Sequence, residues 1–240
     1  MKTYIFDVDG VLALPNTPIE PQFMRWFEHW MLKKEVYICT NNTYQNIVPR
    51  LGRRIIDNCQ AVFTSGGNSI WRENKEHVVS NWRPSYELIS FLESLLKMSE
   101  FKTRTGPNIE HRTGMISFSL VGKTASEDDI KRYVQWDKIS KEKKTFAESI
   151  KKAFPNLGIC FGSDTSIDIS ESCNDKANIY NFLKFKTNVT SVCHSTYGVN
   201  KETQERIKNI IEHAMSINKK AVYNTIISNS PEDTQKYLRL

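Results

Sequence analysis

The stretch "TYIFDVDGVLALPNT", residues 3–17, decides the fold. An apolar run from Tyr4 to Phe6 stops at Asp7, a second acid follows at Asp9, and Gly10 closes the group. A short apolar segment ended by turn residues has the form of a buried strand. The same form recurs at "EVYICT" (35–40) and "QAVFTS" (60–65). Between the first two runs lies "PQFMRWFEHWMLKK", where Phe23, Trp26, Phe27, Trp30 and Met31 share one face at helical spacing. That stripe reads as a helix packed on a sheet. Strands separated by helices imply right-handed β-α-β units, and hence an α/β chain with a doubly wound, Rossmann-like parallel sheet. Ligands in such sheets gather at the carboxyl ends of the strands, where strand order reverses. Asp7 and Asp9 stand at such an end.

The middle of the chain has a different rhythm. A helix in "NWRPSYELISFLESLLK", which Pro84 begins, is followed by "FKTRTGPNIEHRTGMISFSLVGK". Here Met115, Ser117 and Ser119 alternate with Ile116, Phe118 and Leu120. Two helical stretches, "SEDDIKRYVQWDK" and "TFAESIKKAF", precede "GICFGSDTSIDIS". Local alternation with Gly and Pro at the turns indicates an antiparallel α+β layer. The expected organisation is a core of residues 1–82 and 174–240 with a smaller α+β cap inserted at 83–173. The helix-strand alternation resumes with "NDKANIYNFLKF", "NVTSVC", "KETQERIKNIIEHAMSI" and "KAVYNTIIS". In "SPEDTQKYLRL", Ser230 as N-cap, Pro231 behind it and two acids predict a closing helix.

With 240 residues, 39% hydrophobic, the chain has material for a large core and reads as globular. No run of about 18 apolar residues appears that would span a bilayer, and the first residues are too weakly apolar for a signal peptide. Five widely spaced cysteines, without a C-x-x-C pair, suit a reducing compartment. A cytoplasmic protein with no membrane partner is expected. The net charge of +6 is compatible with an anionic metabolite. The basic clusters "RLGRR" and "KISKEKK" have the look of solvated surface, and nucleic acid is not the expected partner.

"FDVDG" resembles the first motif of the haloacid dehalogenase superfamily, whose members mostly transfer phosphoryl groups through an aspartyl-phosphate. "ICTNN" resembles the second motif. "GPNIEHRTGMISFS", "DTSIDIS", "NDK" and the terminal "SPEDTQKYL" are similar, in order, to segments of eukaryotic-type phosphomannomutases. The resemblance spans nearly the whole chain, strongest at these islands.

It implies a division of labour that charge makes intelligible. A carboxylate attacking a phosphoryl group needs its repulsion offset by a divalent cation and fixed donors. Asp7 would be the nucleophile, and Asp9 would protonate the leaving oxygen and then act as base. Gly10 would bring backbone amides close to the phosphate. Thr40 and Asn41 would hydrogen-bond its oxygens, and Lys176 would stand beside Asp7. Arg112, Ser166 and Asp168 match cap residues that hold a hexose phosphate. Lys123 and Ile130 occupy two further arginine positions of the mutases. Lys131 and Arg132 adjoin Ile130, but one residue along a helix turns a side chain by about 100°.

The fourth motif departs further. Its metal-binding acids fall at His194 and Lys201 in "VCHSTYGVNKET", and only Asn200 agrees. Mg²⁺, the implied cofactor with Asp7 and Asp9 among its ligands, prefers oxygen donors, whereas imidazole suits transition metals. Three outcomes stay open: a weakened site, recruitment of Glu202, or a different metal at His194. His194 as a packing residue is a fourth. The expected activity is a phosphatase acting on a small phosphorylated metabolite, with a sugar phosphate as one such substrate. Phosphomannomutase and a non-catalytic binding protein are the alternatives. A homodimer is left open.

Overall fold

The computed structural model describes residues 2–172, 175–194 and 201–239. Thr3–Phe6 form β1 and Pro21–Met31 form α1, whose N-cap Glu20 accepts from the Phe23 amide. The aromatic stripe of α1 packs as its spacing requires: Phe23, Phe27 and Met31 are buried against β1, with Trp26 and Trp30 at the margin. Glu35–Cys39 make β2, Tyr44–Leu51 and Arg53–Asn58 make α2 and α3, and Ala61–Thr64 make β3. After the cap come α7 (Ala177–Leu183), β10 (Asn188–Cys193), α8 (Lys201–Ile217), β11 (Val222–Ile227) and α9 (Pro231–Leu238).

The large sheet runs β11-β10-β1-β2-β3 in parallel. The chain moves outward from β1 to β3, then returns to the other side of β1 with β10 and β11. Strand order thus reverses at β1. One apolar layer lies under α1, α2 and α3, and another under α7 and α8, so both faces are covered. The sheet is not wholly parallel: Ser69–Arg72 (β4) and Lys75–Val78 (β5) add an antiparallel hairpin beyond β3. Its two-residue turn has Glu73 and Asn74 at positive φ, as a twisted hairpin demands.

Between β5 and α7 the chain builds a second, four-stranded antiparallel sheet in the order β6-β7-β9-β8. Its strands are Ile109–Arg112 (β6), Met115–Ser119 (β7), Leu157–Ser163 (β8) and Ser166–Glu171 (β9). The helix expected near Pro84 begins at Tyr86: Ser85 is its N-cap, and α4 runs Tyr86–Met98. With α5 (Glu127–Ser140) and α6 (Glu142–Ala153) it covers one face, burying Ile116, Phe118, Ile167 and Ile169. The alternate residues, including Ser117 and its partner Asp168, point to the opposite face. Arg112, Ser166 and Asp168 therefore lie on one surface, turned toward the large sheet.

Candidate active site

The carboxyl ends of β1, β2, β3 and β10 converge, and nearly all the core residues singled out by sequence are there. Asp7 follows β1 and is buried; its amide donates to Val192 of β10, which fixes its place at the switch point. Lys176 Nζ lies 2.7 Å from Asp7 Oδ2, and the Val8 amide donates to Oδ1 at 2.9 Å. Burial pushes the Asp7 carboxyl up, against the pull of Lys176. Burial also opposes the charged form of Lys176, but Asp7 outweighs it and holds the ammonium above the usual lysine range. The 2.7 Å contact between two buried groups is that of an ion pair, and we take the charged pair as the resting form. Cys39 ends β2 nearby, but burial pushes its thiol up to about 12, so it stays protonated.

Asp9 is held differently. Arg50 Nη2 lies 2.7 Å from Oδ1, and Asn42 Nδ2 donates to Oδ2 at 2.9 Å. The same guanidinium donates to the carbonyls of Thr17 and Leu14, so it fastens the strap after Gly10 to the end of α2. Gly10 has φ +77°, and a Cβ there would stand 2.2 Å from His194 Cδ2. His194 thus lies where the Gly10 side chain would be. Burial lowers the pKa of the imidazole, while Asp7 and Asp164 raise it.

Thr40 is buried, with its hydroxyl accepting from the Asn42 amide. Asn41 reaches the cap: its Nδ2 donates to Asp168 Oδ2 at 2.7 Å, and its carbonyl accepts from Arg112 Nη1 at 2.7 Å. Asp168 Oδ1 is buried and has no hydrogen-bond partner among the described residues, with Arg112 Nη1 4.0 Å away. Arg112 and Lys123 are both paired with Glu110. Ser166 shares a hydrogen bond with Ser163. Asn200 lies outside the described residues.

Ile130 packs into the apolar layer of the cap. Lys131 is paired with Glu127 and Arg132 with Asp129 on the surface of α5. Neither takes the place of the expected arginine. Sequence reading did not find Arg50, Asn42 or Glu110. Asn42 adjoins "TN" and Glu110 lies within "IEHR", so both were within reach, whereas nothing in "VPRLG" connects Arg50 to an acid 41 residues earlier.

Mg²⁺ needs about six oxygens in octahedral array. Both carboxylates are already engaged by side-chain donors, and the third position holds imidazole. Among the described residues no group of three His, Cys, Asp or Glu side chains gathers where an ion would sit. These residues do not fit the ion. No helix among the described residues is long and apolar enough to cross a membrane.

A doubly wound sheet with a buried aspartate-lysine pair at its switch point, facing a small α+β layer, defines a member of the haloacid dehalogenase superfamily. Within it the chain belongs to the eukaryotic phosphomannomutase family, whose sequence profile matches residues 26–239. That match begins after Asp7–Gly10. A phosphomannomutase of Saccharomyces cerevisiae is 26% identical over 180 residues, covering 72% of this chain and 71% of that protein. One from Nicotiana benthamiana is 22% identical over 240 residues, covering 97% and 90%. Among solved structures, the trehalose-6-phosphate phosphatase C-terminal domain of C. albicans has a TM-score of 0.68 at 12% identity, covering 99% of this chain and 90% of that one. A sucrose-phosphatase from Synechocystis has a TM-score of 0.54 at 12% identity, covering 99% and 96%. These two share the fold.

Proposed function

We propose that this protein is a phosphatase that hydrolyses a small phosphorylated metabolite of the sugar or polyol class through an aspartyl-phosphate on Asp7. The observation that carries the reading is the buried Asp7–Lys176 ion pair at the switch point. Lys176 offsets the repulsion between the attacking carboxylate and the phosphoryl oxygens. Asp7 Oδ attacks phosphorus, the bond to the leaving oxygen breaks, and Asp9, which takes up a proton from solvent once it leaves Arg50, gives that proton to the leaving oxygen. Water then attacks the acyl phosphate, Asp9 takes back a proton, and inorganic phosphate leaves. Asp9 performs these steps after turning from Arg50 and Asn42. Residues 83–173 act as the cap. On its inner face the unfilled Asp168 Oδ1 offers an acceptor for a substrate hydroxyl, which supports a polyol skeleton.

Hydrolysis is favoured over mutation because a mutase must grip one phosphate while transferring another. Ile130 is apolar and packs, partly buried, against the cap core, and the neighbouring cations are paired elsewhere. The mutase reading has family membership in its favour. Incubation with mannose 1-phosphate and a sugar bisphosphate, with and without Mg²⁺, separates the two. Inorganic phosphate without mannose 6-phosphate is the expected result; the reverse refutes hydrolysis. Asp7→Asn should lower turnover on the order of 10³-fold or more. No turnover of any sugar or polyol phosphate would leave a binding protein and end both readings.

A further inference from the structure

The misfit between this site and Mg²⁺ has a pattern. Asp7 is matched by Lys176 at 2.7 Å, and Asp9 by Arg50 at 2.7 Å. Arg50 is nearly buried, with 12% side-chain exposure, so its charge acts in a poorly screened setting. Two further acids are engaged by their own partners. Asp175 accepts from Thr203 Oγ1 at 2.7 Å and lies 2.9 Å from Arg206. Glu202 is 3.2 Å from Lys151 of α6.

The charges can be compared. Three carboxylates with one lysine would carry a net charge of about −2, the deficit that a divalent ion makes good. Here an imidazole holds the place that the resemblance assigns to one carboxylate and a guanidinium stands beside Asp9, so two acids face two bases. The change equals the charge of one divalent cation.

We propose that this site takes a phosphate-class dianion without a divalent ion, its charge balance supplied by Lys176 against Asp7 and Arg50 against Asp9. The proposal rests on the site reading above for the class of ligand. Arg50 is a positioning and charge-balancing residue: it fixes Asp9 and the strap at Leu14 and Thr17.

The test is calorimetric binding of tungstate, a phosphate analogue, to the full chain in EDTA and in excess Mg²⁺, together with melting midpoints. Wild type should bind tungstate with affinities within about twofold in the two conditions, and Mg²⁺ alone should leave its midpoint unchanged. Arg50→Met should weaken tungstate binding in EDTA about tenfold or more, and Arg50→Lys should restore most of it. His194→Asp should gain a saturable Mg²⁺-dependent midpoint shift. The proposal is overturned by saturable Mg²⁺ stabilisation of wild type, by tungstate binding that EDTA abolishes, or by tungstate failing to bind in either condition. It is equally overturned by Arg50→Met binding like wild type or by His194→Asp gaining no response to Mg²⁺. Equal tungstate binding without turnover would refute the proposed phosphatase alone, whereas turnover that requires Mg²⁺ would refute the metal-free site alone.

Discussion

Substituting alanine at Gly10 tests the close approach of His194 to the loop after β1. The new methyl carbon would stand 2.2 Å from His194 Cδ2 and 2.9 Å from Nε2, at φ +77°. A left-handed conformation costs a non-glycine residue about 1–2 kcal/mol, and overpacking a close contact costs about 1–3 kcal/mol. Together they amount to about 3 kcal/mol, or a fall in melting midpoint of roughly 6–12 °C for a chain of this length. His194→Ala in the same background removes the clash and leaves the backbone cost. A double-mutant cycle from urea unfolding should therefore return a coupling of about 1–3 kcal/mol between positions 10 and 194. Gly10→Ala within about 0.5 kcal/mol of wild type, or a zero coupling, would refute the placement of the imidazole over Gly10.

Two further predictions address the cap. Asn41→Asp sets a carboxylate against Asp168 where a 2.7 Å hydrogen bond now holds the cap to the large sheet. Like charges at about 4 Å repel by about 4 kcal/mol near a protein surface, so the radius of gyration in solution scattering should rise; an unchanged radius contradicts this contact. Glu142 is buried in the cap beside Tyr133, and burial raises its pKa above the carboxylate norm. The folded state then binds more protons than the unfolded chain above the ordinary glutamate value, so the contribution of this group to stability falls as pH rises through that window. The melting midpoint of Glu142→Gln should gain on wild type between pH 5 and pH 8; a constant difference would show that burial does not govern this carboxyl.

Local chemistry made much of the core legible. "TYIF" ended by Asp7 reads as a strand because the apolar run and its stop lie within a few residues, and the α1 stripe reads as a buried face for the same reason. Ser230, Pro231 and the acids behind them form the N-cap and first turn of α9. The β4–β5 hairpin escaped detection because its turn is Glu73-Asn74, without the glycine that usually marks positive φ. Arg50 escaped for a different reason. It lies in the last turn of α2, and its pairing with Asp9 depends on how that helix is set against the strap after β1. Lys176 was found through "NDK" in its family context, since an isolated lysine before a helix carries no such message. The departure at Ile130 was legible directly: the position is apolar, and its side chain packs, partly buried, against the cap core.

The position of β1 has a consequence for how the chain matures. β1 is made well before its neighbour β10, whose Val189 pairs with Thr3, so one edge of the central strand has no partner until the intervening residues 7–187 have been made. The small sheet, by contrast, draws its strands from one continuous stretch and closes over shorter loops. Contacts of such long sequence separation slow folding, and an open strand edge is a template for association with other chains. The strand that carries Asp7 to the reaction centre is thus also the element left longest without its second neighbour during synthesis.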